Sequence, residues 1–399
     1  MKSVSEIFGI KNVFKGYFDK QVLHGNNLLF NSVKNPGKDI SCNNPIQSWI
    51  GDLATGNAEM LHSSSLGNYQ MGSNMKFHGE FFSFLKFHEN NVSLSICRAD
   101  GVDILDGYFY EVSDTGLHAI EIDGNKLSTL RPYYSFKGQK LMNKYSDGSA
   151  FKVWSLEKKI IIIDVSLVQL NMSEFSYAEH FKFSPDEKYC AFLIRTKEAH
   201  GLSTRLCVLC LASSKIIDLD TTDRATHFCW SSNTSITVWS SLQSTSSNLR
   251  KSKLFSKLIP IIKPAYHYLI RGNSKTGNNV ISSMITGDRL LDIDIDTGVR
   301  RTVSNEVKHD GHPSILSFNN NYLLYDSYPD ENGICVLKLL DRKDGSLYEV
   351  CSFEHDIQFN DSGFRADLHP CSTEGHIIVD TLSNGMRDIK IINSGDINV

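Results

Sequence analysis

Apolar positions along the chain fall in short runs of roughly four to eight residues, rich in β-branched and aromatic types and bounded by Gly, Asn, Asp and Ser. Long segments with apolar residues at i, i+3, i+4 and i+7 are almost absent, so the pattern predicts strands rather than helices. The runs group into seven similar units. The first starts near Gly16-Tyr17-Phe18 and continues through Asn27–Phe30 and Ser48–Asp52. The second holds Met75–Phe77, Phe81–Phe87, Val92–Arg98 and Gly107–Tyr110, and the third runs from Arg131–Tyr134 to Ile160–Asp164. The fourth opens at His180, with Ala191–Arg195, Arg205–Leu211 and Lys215–Leu219. The fifth opens at His227, with Ser235–Trp239 and then Tyr266–Arg271, separated by a Ser- and Lys-rich insertion at about 240–264. The sixth opens at His312 and the seventh at His369.

The starts at His180, His227, His312 and His369 lie 47, 85 and 57 residues apart. A four-stranded propeller blade takes roughly 40–50 residues, and the long interval is one blade plus the insertion. The expectation is an all-β chain, a seven-bladed β-propeller occupying 1–399 as one domain. The seventh unit is one strand short, so the N-terminal segment is expected to complete it and close the ring. Because innermost strands line the central channel, histidines at the same phase of four blades are expected to converge on one funnel.

Composition narrows the reading further. The chain carries 41 basic and 45 acidic residues, a net charge of −4, which lacks the basic excess that drives nucleic-acid binding. The basic cluster Arg250-Lys251-Ser252-Lys253, with Lys257 and Lys263, reads as a solvated loop. No run approaches the ~18 apolar residues of a membrane helix, and the N-terminus lacks a signal-peptide core; a cytoplasmic location is expected. Nine cysteines scattered in strand-like runs fit reduced core thiols better than a disulfide framework.

Several segments in order then acquire a resemblance: His180-Phe181-Lys182-Phe183-Ser184-Pro185, Thr204-Arg205-Leu206, His227-Phe228-Cys229-Trp230, Asp310-Gly311-His312-Pro313-Ser314, Tyr325–Asp330, Arg365-Ala366-Asp367-Leu368-His369-Pro370 and Gly385-Met386-Arg387. With Asn68–Gly72 and Leu130–Tyr133 upstream, the chain resembles bacterial seven-bladed propellers akin to oligogalacturonate lyases. The resemblance implies a divalent metal, manganese above all, that receives a uronate carboxylate while a histidine and an arginine work on the C5 proton. By position it assigns His312 and His369 to the metal, His227 to catalysis and Arg205 to the reacting carbon. Asp367 stands where the family has a third metal-binding histidine, and no glutamine precedes it, only Phe364, Arg365 and Ala366. Two histidines and a carboxylate are a donor set suited to manganese or calcium rather than to a soft metal.

Other residues enter on their own chemistry. Arg365 and Arg387 are candidates to clasp an anionic sugar bidentately, set against blade-to-blade ion pairs. Gln70 and His180 are further candidates for substrate contact. Asp326 and Asp330 read as turn caps more than as catalytic groups. Three functions fit. The first is a metal-assisted lyase of a uronate-type oligosaccharide or polysaccharide. The second is a non-lyase sugar-processing or transferase-like protein of surface-polysaccharide assembly, with a sugar nucleotide as its ligand. The third is a non-catalytic scaffold with the 240–264 insertion as its partner loop, since fold alone does not set function. The oligomeric state is left open.

Overall fold

The computed structural model describes residues 1–65, 67–88, 91–134, 148–198, 201–219, 221, 224–241, 287–359 and 363–397. Its strands form seven antiparallel sheets in a closed ring, the seven-bladed β-propeller expected from the repeat. In blade four the order from the axis outward is Ser176–Phe183, Tyr189–Glu198, Gly201–Cys210 and Ile216–Asp218. Blades five and six repeat this order from Ala225–Trp230 and Ser314–Ile315. Blade seven takes three strands from Cys371–Thr373, His376–Ser383 and Met386–Asn393, and its fourth from the N-terminus, where Lys2 and Ser3 pair with Ile391 and Lys390. Ser3 also bonds Asp388 at 2.6 Å, so both chain ends lock one sheet and no blade is left with three strands.

Three boundaries differ from the sequence reading. Gly101–Asp106 is the outermost strand of blade two, and Phe109–Val112 opens blade three. Residues 131–134 are not a strand start: a helix, Gly124–Leu130, capped by Asp123, leads into a short 3₁₀ turn at Pro132–Tyr134. In blade five the strand that pairs with Ser235–Ser241 is Asp288–Asp294. The expected strand Tyr266–Arg271, nearly all of the 240–264 insertion and its basic cluster lie outside the described residues.

Packing between blades is aromatic and tight. Phe151 of blade three meets Phe181 and Phe192 of blade four at centroid distances of 4.9 Å, and Phe181 stacks on Phe192 at 5.4 Å. Each such ring removes a large apolar area from water and gains from tilted geometry. Polar ties cross the same seams: Trp230 donates to the Lys182 carbonyl at 2.9 Å and Ser314 to that of Pro370 at 2.9 Å.

Blade one departs from the pattern. Its innermost strand is split into Val13–Phe14 and Leu23–His24, both paired with Asn27–Ser32. Phe14 faces Asn31, and Leu29 donates to the Val22 carbonyl at 2.8 Å. The seven residues Lys15–Gln21 therefore stand where regular pairing has one, opposite Phe30. This loop turns inward and puts Tyr17 and Phe18 on the channel axis, both 2% exposed. Gly16 starts it at φ +104, with Met71 O only 2.8 Å from where a Cβ would stand, so a side chain is excluded twice over.

Candidate functional site

The histidines at the shared phase do meet. Ring centroids run 6.0 Å from His180 to His227, 4.2 Å from His227 to His312 and 4.4 Å from His312 to His369. Local backbone departures aim them. The innermost strands of blades four and five change register between Glu179 and Lys182 and between Ala225 and Phe228; bulges of this kind redirect side chains. His180 and His369 also hold positive φ, 54° and 46°, a costly state for a β-substituted residue that its surroundings must impose. Tyr17 and Phe18 of the inward loop form the floor: Tyr17 lies 4.9 Å from His180 and 5.1 Å from His369, and Phe18 lies 5.2 Å from His312.

Partners fix how each imidazole presents itself. His312 Nδ1 lies 3.0 Å from both oxygens of Asp326, whose Oδ1 also accepts from the His312 amide at 2.7 Å. The other Asp326 oxygen accepts from the His369 amide at 3.2 Å. His369 Nδ1 faces the Gly16 carbonyl at 3.1 Å, and His227 Nδ1 faces Asp310 at 3.3 Å. With Nδ1 carrying the proton in each case, the Nε2 lone pairs are left for the cup. Gly311 lets His312 come this close to Asp326, because a Cβ there would lie 2.2 Å from the Asp326 carbonyl.

Ligand atoms of His312, Asp367 and His369 all lie within 4.8 Å of one another. His369 Nε2 and Asp367 Oδ1 are buried and have no hydrogen-bond partner. Two converging orphan acceptors beside a third lone pair are costly unless an electron-poor group joins them, and one oxygen with two imidazole nitrogens fits a divalent cation such as manganese. The second Asp367 oxygen is taken by Arg365 at 2.7 Å, and the Arg365 guanidinium lies 5.1 Å from the Tyr328 ring centroid.

The cup has two halves of opposite sign. Around His227, His312 and His369 stand the carboxylates of Asp310, Asp326 and Asp367 against two cations, Arg365 and Lys15, the latter donating to the His369 carbonyl. Around His180 the buried Glu179 is gripped through one oxygen by Arg131 and Arg195, two cations on one anion. Arg131 also lies over the Tyr134 ring at 3.5 Å, and Tyr134 neighbours His180 at 6.2 Å. A cation is favoured in the first half and an anion in the second. Proton affinities follow. Burial, with Arg131 and Arg195, pushes His180 well below the ordinary imidazole value. Burial and neighbouring His312 lower His227, and burial with His312 and Lys15 lowers His369. For His312 burial acts downward, but Asp326 and its fellow carboxylates outweigh it and raise the value.

Not every residue singled out in the sequence comes to the cup. Arg205 pairs with Asp218 on the outermost strand of blade four at 2.8 Å and donates to the Leu170 carbonyl at 2.5 Å, an ion pair of the blade edge. Arg387 is 2% exposed; it donates to the Phe364 and Arg365 carbonyls and lies 4.5 Å from the Tyr69 ring. It braces the segment that carries Arg365 and Asp367. Gln70 donates to the Arg365 carbonyl at 3.0 Å, while its own Oε1 is buried without a partner. Arg131, Glu179, Arg195, Tyr17 and Asp326 escaped the sequence reading as site residues. One signal was available: Arg195 and Asp326 both lie near the end of a second strand, where that strand returns to the mouth.

No family model matches the chain, and no curated protein matches it. Solved structures do match. An oligogalacturonate lyase in complex with manganese superposes with a TM-score of 0.60 at 12% identity, covering 96% of this chain and 90% of that one. The oligogalacturonate lyase of Vibrio parahaemolyticus gives 0.58 at 12% identity, covering 96% and 91%. The β-propeller domain of the trilobed protease of Pyrococcus furiosus gives 0.51 at 9% identity, covering 97% and 100%. The resemblance stated from sequence thus meets structural neighbours of the same name. At these identities the likeness is one of fold, shared with an acylaminoacyl peptidase of Pyrococcus horikoshii and with the propeller domain of the trilobed protease.

Proposed function

We propose that the cup is the active site of a metal-assisted lyase acting on a uronate-type sugar. The observation that carries this reading is the convergence of His312, Asp367 and His369, with buried unpartnered acceptors, beside a second half that favours anions. His312, Asp367 and His369 would hold the ion, which supplies positive charge against a sugar carboxylate and so stabilises the enolate-like charge that develops when C5 loses its proton. His227 is the base: Asp310 fixes its Nδ1 proton, and burial keeps Nε2 unprotonated. The C5 proton passes to His227, a C4–C5 double bond forms, the C4–O bond breaks, and the same proton is returned to the leaving oxygen. Arg365 and Arg195 orient anionic groups at the rim, the part that Arg205 cannot take from the blade edge. Tyr17 and Phe18 close the floor against water from the far end of the channel.

Incubation with galacturonate and glucuronate oligomers and Mn²⁺ is expected to generate the near-ultraviolet absorbance of an unsaturated uronate, abolished in His227→Ala. Absence of that absorbance across the panel, in protein shown to bind manganese, contradicts the lyase chemistry while leaving the ion site standing.

A further inference from the structure

Beyond the Tyr17-Phe18 floor the channel reopens on the face opposite the histidines. The cavity there measures about 220 Å³ and is lined by Asp19, Lys20, Lys182, Trp230, Ile315 and Ser372, among others. Most polar groups in its wall are already engaged. The Ser372 hydroxyl donates to the Ile315 carbonyl at 3.1 Å, Trp230 donates to that of Lys182 at 2.9 Å, and Asp114 pairs with Lys76 at 2.7 Å.

Two opposite charges are left over. The Asp19 side chain is 8% exposed and its Oδ1 is buried with no hydrogen-bond donor. Lys20 Nζ stands off at 3.9 Å and is drawn to Glu111 instead. Lys182 projects from the innermost strand of blade four, and no carboxylate among the described residues lies within ion-pair distance of its ammonium. Burial pushes the Asp19 carboxyl up, but Lys20, Lys182 and Lys76 together outweigh it and hold the group ionised. A carboxylate and an ammonium thus line one cavity, too far apart to bond directly; the first is buried with no hydrogen-bond donor on Oδ1 and only the distant Lys20 near it, and the second is half-buried with no carboxylate at ion-pair distance among the described residues. A buried carboxylate oxygen left without a donor is costly.

We propose that this cavity binds a small hydroxycarboxylate, its carboxylate on Lys182 and its hydroxyl donating to Asp19. Water can occupy a cavity of this kind, but it neutralises neither charge. A ligand with an ammonium in place of the hydroxyl would meet Lys20, 3.9 Å from Asp19, so a neutral donor fits better. The site does not depend on the chemistry at the histidine end.

Calorimetric titration of the full chain decides the matter, with EDTA present so that no ion in the histidine cup can chelate the probe. Glycolate is expected to bind at least tenfold more tightly than acetate, which lacks the hydroxyl, and ethylene glycol, which lacks the charge, to bind weakest. Lys182→Met should lose tenfold or more. Ile315→Phe, which narrows the cavity and keeps both charges, should do the same and decides alone if Lys182→Met fails to fold. Equal affinity for glycolate and acetate, or glycolate binding unchanged in the folded variants, overturns the proposal.

Discussion

Asp326 sets the geometry of the cup. Its two oxygens receive the His312 ring, the His312 amide and the His369 amide, so one buried carboxylate aligns two histidines carried by different blades. Replacing it with Asn removes the charge that holds the His312 proton on Nδ1. Asp326→Asn is expected to weaken manganese binding about 10–100-fold, the usual effect of losing a group that orients a ligand, in a direct titration. Arg205 behaves differently. Partly exposed and paired with Asp218, it should cost only about 0.5–1 kcal/mol on substitution by Ala, read from denaturant unfolding, with the proposed activity on uronate oligomers retained. These two residues also mark what single positions reveal. Asp326 and Asp330 look alike in the sequence as turn-capping aspartates. Asp330 is one, accepting from the Asn332 and Ile334 amides at 2.8 Å, whereas the partners of Asp326 lie in the strand openings of two blades. Arg205 and Arg195 likewise differ only in where their strands carry them.

At the scale of elements, the inward loop Lys15–Gln21 separates this channel from an open one. It presents Tyr17 to His180 and Phe18 to His312, and its entry requires a left-handed residue without a side chain. Gly16→Ala is therefore expected to destabilise the fold by about 1–3 kcal/mol and to reduce activity as Tyr17 shifts, measured by unfolding and turnover together. The loop was not legible in the sequence, because Gly16-Tyr17-Phe18 carries the same aromatic signature as a regular strand, and nothing local reveals that seven residues face one. The histidine-bearing strands were legible, since their phase repeats and the histidine always precedes or enters an apolar run. The bulges that turn His180 and His227 inward were not, as their register is set by the partner strands. The helix Gly124–Leu130 was also missed; at this length its hydrophobic period is too brief to stand out.

Across the whole molecule, closure and blade count followed from spacing: seven units with the last one short predict an N-terminal strand in the final sheet, and Lys2 and Ser3 supply it. The polar groups that cross from blade to blade could not be read in advance, because each joins residues far apart in the chain. His78 is one such tie, meeting the Ser113 carbonyl at 2.7 Å and the Ser83 hydroxyl at 2.8 Å. Burial, with Lys76 nearby, pushes its pKa down to about 3, against about 6.5 in an unfolded chain. Between those values the unfolded state binds the extra proton, so the contribution of His78 is complete above about pH 6.5 and is lost as pH falls toward 3. Unfolding measured from pH 7 to pH 4 should show stability falling with acidity, and His78→Gln should flatten that slope. The ring as a whole exists, on this account, to bring a cation-seeking half and an anion-seeking half together at one mouth. Metal content of the purified chain after equilibration with Mn²⁺ tests that claim most directly. One ion per chain in the wild type and none in His369→Ala is the predicted result; no bound ion in the wild type, or equal loading of both proteins, would contradict it.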